Sequence, residues 1–206
     1  MKILYGTGNQ GKLNQMDKII KVNNFDAQIM SLKDIGFDKD IIEDGETFEE
    51  NSKIKAVEIR EFCEANNLHD VVIVTDDAGI CVDALNGRPG VYSARYAGDH
   101  APQDITLGKL LTELKDVKME DRTAEFVCVL TASLPNGEYI VSRGAVKGKV
   151  AINLGKLGGL TYEPAFIPDG FDKPMSEMSL EEFAKVKNHR DIAMINLFEK
   201  LQEISK

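Results

Sequence analysis

The sequence predicts an α/β protein with a mixed sheet, and three observations carry that expectation. Val71-Val72-Ile73-Val74-Thr75 is a β-branched run of the kind that forms a buried strand. Strand-like segments alternate with segments of helical spacing. Pro135-Asn136-Gly137 is a strong hairpin signal between two extended apolar stretches. In chain order, Met1 to Tyr5 reads as a strand and Gly6 to Gly11 as a glycine-rich turn. Lys12 to Lys21 reads as a helix with Leu13, Met16, Ile19 and Ile20 on one face, and Gln28 to Leu32 as a second strand. Glu46 to Asn67 reads as a long helix that would bury Phe48, Ile54, Val57 and Phe62. The 71–75 strand is expected to end at Asp76-Asp77. Gln103 to Leu114 forms a helix, Arg122 to Leu134 and Glu138 to Lys147 the hairpin strands, and Val150 to Asn153 a further strand. Ser179 to Ile204 is mostly helical. No repeat, low-complexity tract or linker divides residues 1–206, which are read as one domain.

A chain of 206 residues has ample core to be stable without staples. Its 34 acidic and 25 basic residues give a net charge of −9, which argues against non-specific binding to nucleic acid or to an anionic membrane. Cys63, Cys81 and Cys128 are scattered and odd in number, so reduced thiols in the cytoplasm are expected rather than a disulfide frame or a zinc site. No stretch resembles a signal peptide or reaches transmembrane length.

Gly6-Thr7-Gly8-Asn9-Gln10-Gly11-Lys12 satisfies the dinucleotide pattern G-x-G-x-x-G and most of the P-loop pattern, with Leu13 where a magnesium-binding hydroxyl would stand. Both patterns bring backbone N–H groups and a helix N-terminus to an anion. Phosphate binding is therefore better supported than either pattern alone. Lys12 adds a charge, and Thr7 and Asn9 add hydrogen bonds. Asp26 lies near the position of a ribose-binding acid, but before the second strand instead of at its end.

Asp76 and Asp77, adjacent carboxylates after an apolar strand, need a cation nearby, and strand ends are where α/β sheets bind ligands. A divalent metal, an activated water or a polar turn each fits that pair. Glu43 to Glu50 places acids at a helix start, which capping and dipole compensation largely explain. Asn51 and Lys55 share one helix face and could meet a phosphate.

Taken together, Thr7-Gly8-Asn9-x-x-Lys12, Thr47-Phe48-x-Glu50-Asn51-x-x-x-Lys55-Ala56, Asp76-Asp77-x-Gly79 and the run Leu85 to Gly98 resemble the inosine triphosphate pyrophosphatase family. So do Gly158 to Pro168, Glu177-Met178-Ser179 and His189-Arg190, in the family's order over nearly the whole chain. The resemblance implies a long curved sheet, two lobes around a nucleotide cleft, a homodimer and one or more Mg²⁺ ions per active site. It implies hydrolysis of non-standard purine nucleoside triphosphates (ITP, dITP, XTP) to monophosphate and pyrophosphate. Thr7, Gly8, Asn9, Gln10, Gly11 and Lys12 would hold phosphates, assisted by Lys55. Asp77 would be proton acceptor and metal ligand, Glu43 the other metal-linked carboxylate, with Asp76 beside them. Tyr162, Glu163, His189 and Arg190 would line the nucleoside end.

The chain departs from the family in places. Ala78 replaces a serine at the substrate. Leu160-Thr161-Tyr162-Glu163 stands for Phe-Gly-Tyr-Asp. The stretch Glu181 to Arg190 is one residue longer than usual, and Lys185 is taken over Lys187 as the lysine that reaches substrate. A dinucleotide-dependent oxidoreductase and a non-catalytic nucleotide sensor are the alternatives.

Overall fold

The computed structural model describes residues 1–204. The chain forms β1 (Lys2–Tyr5), α1 (Gln10–Val22), β2 (Gln28–Ser31), α2 (Phe48–Ala65), β3 (Val72–Val82) and α3 (Gln103–Glu113). It continues with β4 (Thr123–Ser133), β5 (Tyr139–Val150), β6 (Phe166–Pro168), α4 (Leu180–Lys185) and α5 (His189–Ile204). The strands order as β2-β1-β3-β4-β5-β6. β1 runs parallel to β2, with Ile3 opposite Ile29, and to β3, with Ile3 opposite Val72. β5 and β6 are antiparallel, so the sheet is mixed.

Two compact units share these strands. One comprises Met1–Asp77, Cys128–Gly144 and the described residues from Arg190 on; the other comprises Ala78–Val127 and Ala145–His189. The boundaries fall inside β3, β4 and β5. The first unit has a core that includes Leu4, Phe37, Ile59, Cys63, Val71 and Ile73. The second packs Ile80, Leu107, Leu110, Phe126, Tyr162 and Phe166 together.

Several sequence expectations change. β3 does not stop at Asp76-Asp77 but runs through both to Val82. The apolar residues Ile80 and Val82 continue the strand, and the partners described below, cationic for Asp76 and an amide for Asp77, offset the carboxylates. β5 runs on to Val150, so the expected separate strand at Val150 to Asn153 does not form; β6, unforeseen, pairs instead. α1 begins at Gln10, inside the expected loop, because Asn9 caps it.

α2 buries a different face from the one expected. Phe48, Ile54, Val57 and Phe62 are only half-buried, whereas Asn51, Ser52, Ala56, Ile59, Arg60 and Cys63 are buried. The reason is polar pairing. Arg60 donates to Val71 O at 3.0 Å, to Ser133 O at 2.6 Å and to Ser133 Oγ at 3.1 Å, and Ser52 Oγ meets Thr131 Oγ1 at 2.6 Å. These bonds satisfy groups whose burial would otherwise be costly, and they tie the helix to β4 and to the residue that precedes β3.

Candidate active site

The first unit builds its charged site from the end of β1, the start of α1, α2 and the middle of β3. Gly6 leaves β1 so close to α2 that a Cβ there would lie 2.6 Å from Ile59 Cδ1 and 2.7 Å from Thr75 Cγ2. Gly8, by contrast, faces open space. The glycines that fit a dinucleotide pattern therefore serve different ends: the first permits packing, and the second leaves room. Thr7 Oγ1 accepts from the Asn9 N–H at 3.1 Å, and Asn9 Oδ1 accepts from the Lys12 N–H at 3.2 Å. These bonds fix the loop and aim the first turn of α1. That turn carries no acidic residue, so its positive end is uncompensated.

Lys12 reaches Asp76, Nζ to Oδ2, at 2.8 Å, and Arg190 Nη2 approaches the same oxygen at 3.3 Å. Tyr5 donates its hydroxyl to the other oxygen, Oδ1, at 3.1 Å. Asp76 is 3% exposed. Burial opposes its charge, but Lys12 and then Arg190 outweigh that cost and hold the carboxyl well below the usual carboxylate range. Burial first, and then the Asp76 charge, push the Tyr5 hydroxyl far up, so it stays a proton donor. The same two causes push the buried Cys128 thiol up to about 12, which keeps it protonated and unreactive.

Successive strand residues point to opposite faces, and Asp77 meets different partners from Asp76. Its Oδ2 accepts from Asn51 Nδ2 at 3.0 Å. Asn51 Oδ1 in turn accepts from the Gly45 N–H at 2.8 Å. One turn on, Lys55 Nζ pairs with Glu43 Oε2 at 2.6 Å. Asn51 and Lys55 thus do share a face, and both hold carboxylates. Glu50 closes a capping box with Thr47, as dipole compensation predicts for that acid. Gln10 is exposed and bonds Asn14.

The second unit holds the remaining candidates. Leu160 is 52% exposed and Thr161 is exposed, while Tyr162 is buried with its hydroxyl donating to Ser93 O at 2.8 Å. Glu163 is buried and its Oε2 accepts from the Leu160 N–H at 3.0 Å. Burial raises its pKa, with that hydrogen bond opposing. His189, rather than lying on the surface as a helix-start residue could, is buried and stacks on Phe126 with ring centroids 5.2 Å apart. Lys185 and Lys187 are both exposed, and Ala78 is half-buried in β3. Arg190, expected at the nucleoside end, belongs to the first unit and lies on Asp76.

Two residues that sequence reading passed over now stand out. Tyr5 at the end of a buried strand looks like core. Gln103 at the start of α3 carries no motif, yet its side chain bonds the 158–161 backbone through both ends of its amide.

A family signature matches residues 3–200, and it is that of the Ham1 family. The chain belongs to the Ham1 family. The dITP/XTP pyrophosphatase of Clostridium perfringens is 40% identical over 205 residues, covering 100% of this chain and 99% of that relative. The Ham1 protein of Staphylococcus aureus superposes with a TM-score of 0.83 at 35% identity and covers both chains fully. A nucleoside-triphosphatase / dITP/XTP pyrophosphatase of Mycobacterium abscessus gives a TM-score of 0.76 at 32% identity, covering 99% of this chain and 97% of its own. Membership bears out the resemblance drawn from the motifs and the α/β fold class, and it displaces the oxidoreductase reading of the glycine loop. No helix among the described residues is long and apolar enough to cross a membrane.

Proposed function

We propose that this Ham1 protein is a dITP/XTP pyrophosphatase, hydrolysing non-standard purine nucleoside triphosphates to the monophosphate and pyrophosphate. The observation that carries the reading is the cluster of Lys12 and Arg190 on one oxygen of Asp76, beside the start of α1. Two cations against one carboxylate leave a net positive charge next to backbone N–H groups. That combination suits a polyphosphate and has no use in a purely structural turn. Lys12 and the loop from Thr7 to Gly11 hold phosphates, and Lys55 neutralises charge beside them. Asp77, oriented by Asn51, positions the attacking water and takes its proton. Asp76 aims Lys12 and Arg190 and does not itself accept a proton.

Among the described residues, no group of three or more His, Cys, Asp or Glu is placed to hold a metal. Mg²⁺ does not require one, since it is bound through one or two carboxylates plus phosphate oxygens and waters. Asp77, beside Asn51, and Glu43, beside Lys55 one helical turn on, are hard oxygen donors whose chemistry fits that role. When bound, Mg²⁺ neutralises polyphosphate charge and lowers the pKa of a coordinated water. Tyr162, Glu163 and their neighbours at Leu160 and Thr161, with His189 and Lys185, form the nucleoside-binding part. Ala78 lies in β3 where a serine hydroxyl would otherwise assist. The working form is a homodimer in the cytoplasm, each copy a single domain over 1–206.

The test is a turnover panel of ITP, XTP, dITP, GTP and ATP in Mg²⁺ with identification of products. Pyrophosphate and IMP from ITP are expected, with ITP and XTP preferred over ATP. Tight nucleotide binding without pyrophosphate release would favour the sensor reading instead.

A further inference from the structure

The Gly158–Glu163 segment is irregular, yet its backbone is held at both ends. Gly158 and Gly159 sit at φ 131° and 67°, conformations that favour glycine. A Cβ at Gly159 would also run into the Glu163 carboxylate. That carboxylate holds the Leu160 N–H. The other holder comes from far along the chain. Gln103 Oε1 accepts from the Gly158 N–H at 2.8 Å. Its Nε2 donates among the carbonyls of Gly158, Leu160 and Thr161 at 3.1, 3.2 and 3.2 Å. These partners fix the orientation of the amide, because a flipped carboxamide would face three acceptors with an oxygen. Gln103 is free of capping duty, since α3 starts after Pro102 with no side-chain cap. The result is a loop held by hydrogen bonds to its backbone at Gly158, Leu160 and Thr161, while Leu160 and the preceding Leu157 stay 52% and 56% exposed. A fixed loop that keeps apolar side chains at the surface suits a flat aromatic ligand.

We propose that Gln103 is a positioning residue for base recognition: its carboxamide sets the shape of the Gly158–Glu163 segment that receives the purine. The proposal rests on the nucleoside-binding reading of that segment. It assigns Gln103 no contact with phosphate and no part in the chemical step, so its loss acts on binding of the nucleoside alone.

Gln103→Ala removes all four hydrogen bonds. Gln103→Glu keeps the side chain's size and its acceptor for Gly158, but turns a carboxylate toward three carbonyls, so it should loosen the loop at least as much. Each full-length variant is compared with the parent by amide hydrogen exchange over 158–163, by KM and kcat for ITP, by calorimetric ITP binding, and by binding of inorganic tripolyphosphate. The loss of several neutral hydrogen bonds is expected to speed exchange and to raise KM and the ITP Kd by about tenfold. Tripolyphosphate affinity should hold, and kcat should change by less than about twofold. Unchanged exchange in Gln103→Ala, or ITP and tripolyphosphate affinities that fall together, would overturn the positioning role. Faster exchange with unchanged ITP affinity would overturn it too, by showing that the segment does not receive the base. If the parent binds ITP without hydrolysing it, the pyrophosphatase reading fails, and the calorimetric arm still decides the role of Gln103.

Discussion

The two units of this protein hold their candidate ligand-binding residues by opposite means. In the first, charge holds charge: Lys12 and Arg190 converge on Asp76, and Lys55 pairs with Glu43. In the second, the Gly158–Glu163 segment is shaped by an uncharged amide and a buried glutamate that bond main-chain groups. The difference suits what each would bind. A triphosphate presents spread negative charge, which point charges answer at any rotation. A purine differs from its neighbours by one oxygen or amino group, and only fixed hydrogen-bonding geometry can tell those apart. Charges in the second unit would bind every nucleotide alike, and a neutral loop in the first would leave the phosphates uncompensated.

The sharpest way to break this contrast is at Asp77. Asp77→Asn keeps the shape and the bond to Asn51 possible while removing the carboxylate proposed as base, so kcat should fall by roughly 10²–10⁴, the span of general-base catalysis, with thermal stability nearly unchanged. A folded variant with near-normal kcat would remove Asp77 from the chemistry. Lys12→Ala comes next. Loss of one phosphate-directed cation should lower kcat/KM by about 10²–10³, and by the same factor for ITP, XTP and GTP. A loss confined to one base would show that charge in the first unit also reads the nucleoside.

Tyr5→Phe is a milder probe of the same hub. It deletes only the hydroxyl that caps Asp76 Oδ1 and should cost about 1.5–3 kcal/mol of stability in urea unfolding, as hydrogen bonds to buried charges do. A variant as stable as the parent would mean that Lys12 and Arg190 alone hold Asp76. The smallest effect belongs to Glu163. Its pKa is raised in the folded state by burial, so ionisation favours the unfolded chain. Stability from this group is fully present below the ordinary glutamate pKa of about 4.3 and is lost as pH rises through the raised folded value. Glu163→Gln should therefore gain on the parent in unfolding midpoint as pH goes from 4 to 7. A difference that is flat with pH would show that Glu163 titrates as it does in the unfolded chain.

Local pattern made β1, β2, α3 and β4 legible within a residue or two, and the hairpin turn at Pro135-Asn136-Gly137 with them, although β5 runs three residues past its expected end. It failed where distant groups alter the local rule. Two carboxylates within a strand argue against a strand until Lys12 and Arg190 reach Asp76 and Asn51 reaches Asp77, and Arg190 lies 114 residues from Asp76. The buried face of α2 was misread for the same reason, since Arg60 and Ser52 are buried only because β4 supplies Ser133 and Thr131. The motifs hold Lys12, Asp76, Asp77 and Arg190, but nothing in them shows that Lys12 and Arg190 meet on Asp76. Tyr5 and Gln103 carried no signal at all, because a tyrosine ending a strand and a glutamine starting a helix are unremarkable until their partners are known.

The first unit is assembled from three separate stretches of chain, and this sets a timetable for a protein that is made from one end. Asp76 and Lys12 emerge from the ribosome early. Arg190, on α5, follows 114 residues after Asp76, a delay on the order of ten seconds at typical elongation rates. Until then the nascent chain carries a carboxylate destined for burial without its full set of cations, and β3 at first has no β4 on its far side from β1. The unit therefore cannot be completed before α5 arrives. Completion of the charged hub is in this sense deferred: a stalled translation product contains the loop, the aspartates and Lys12, and still lacks the arginine that lies on Asp76.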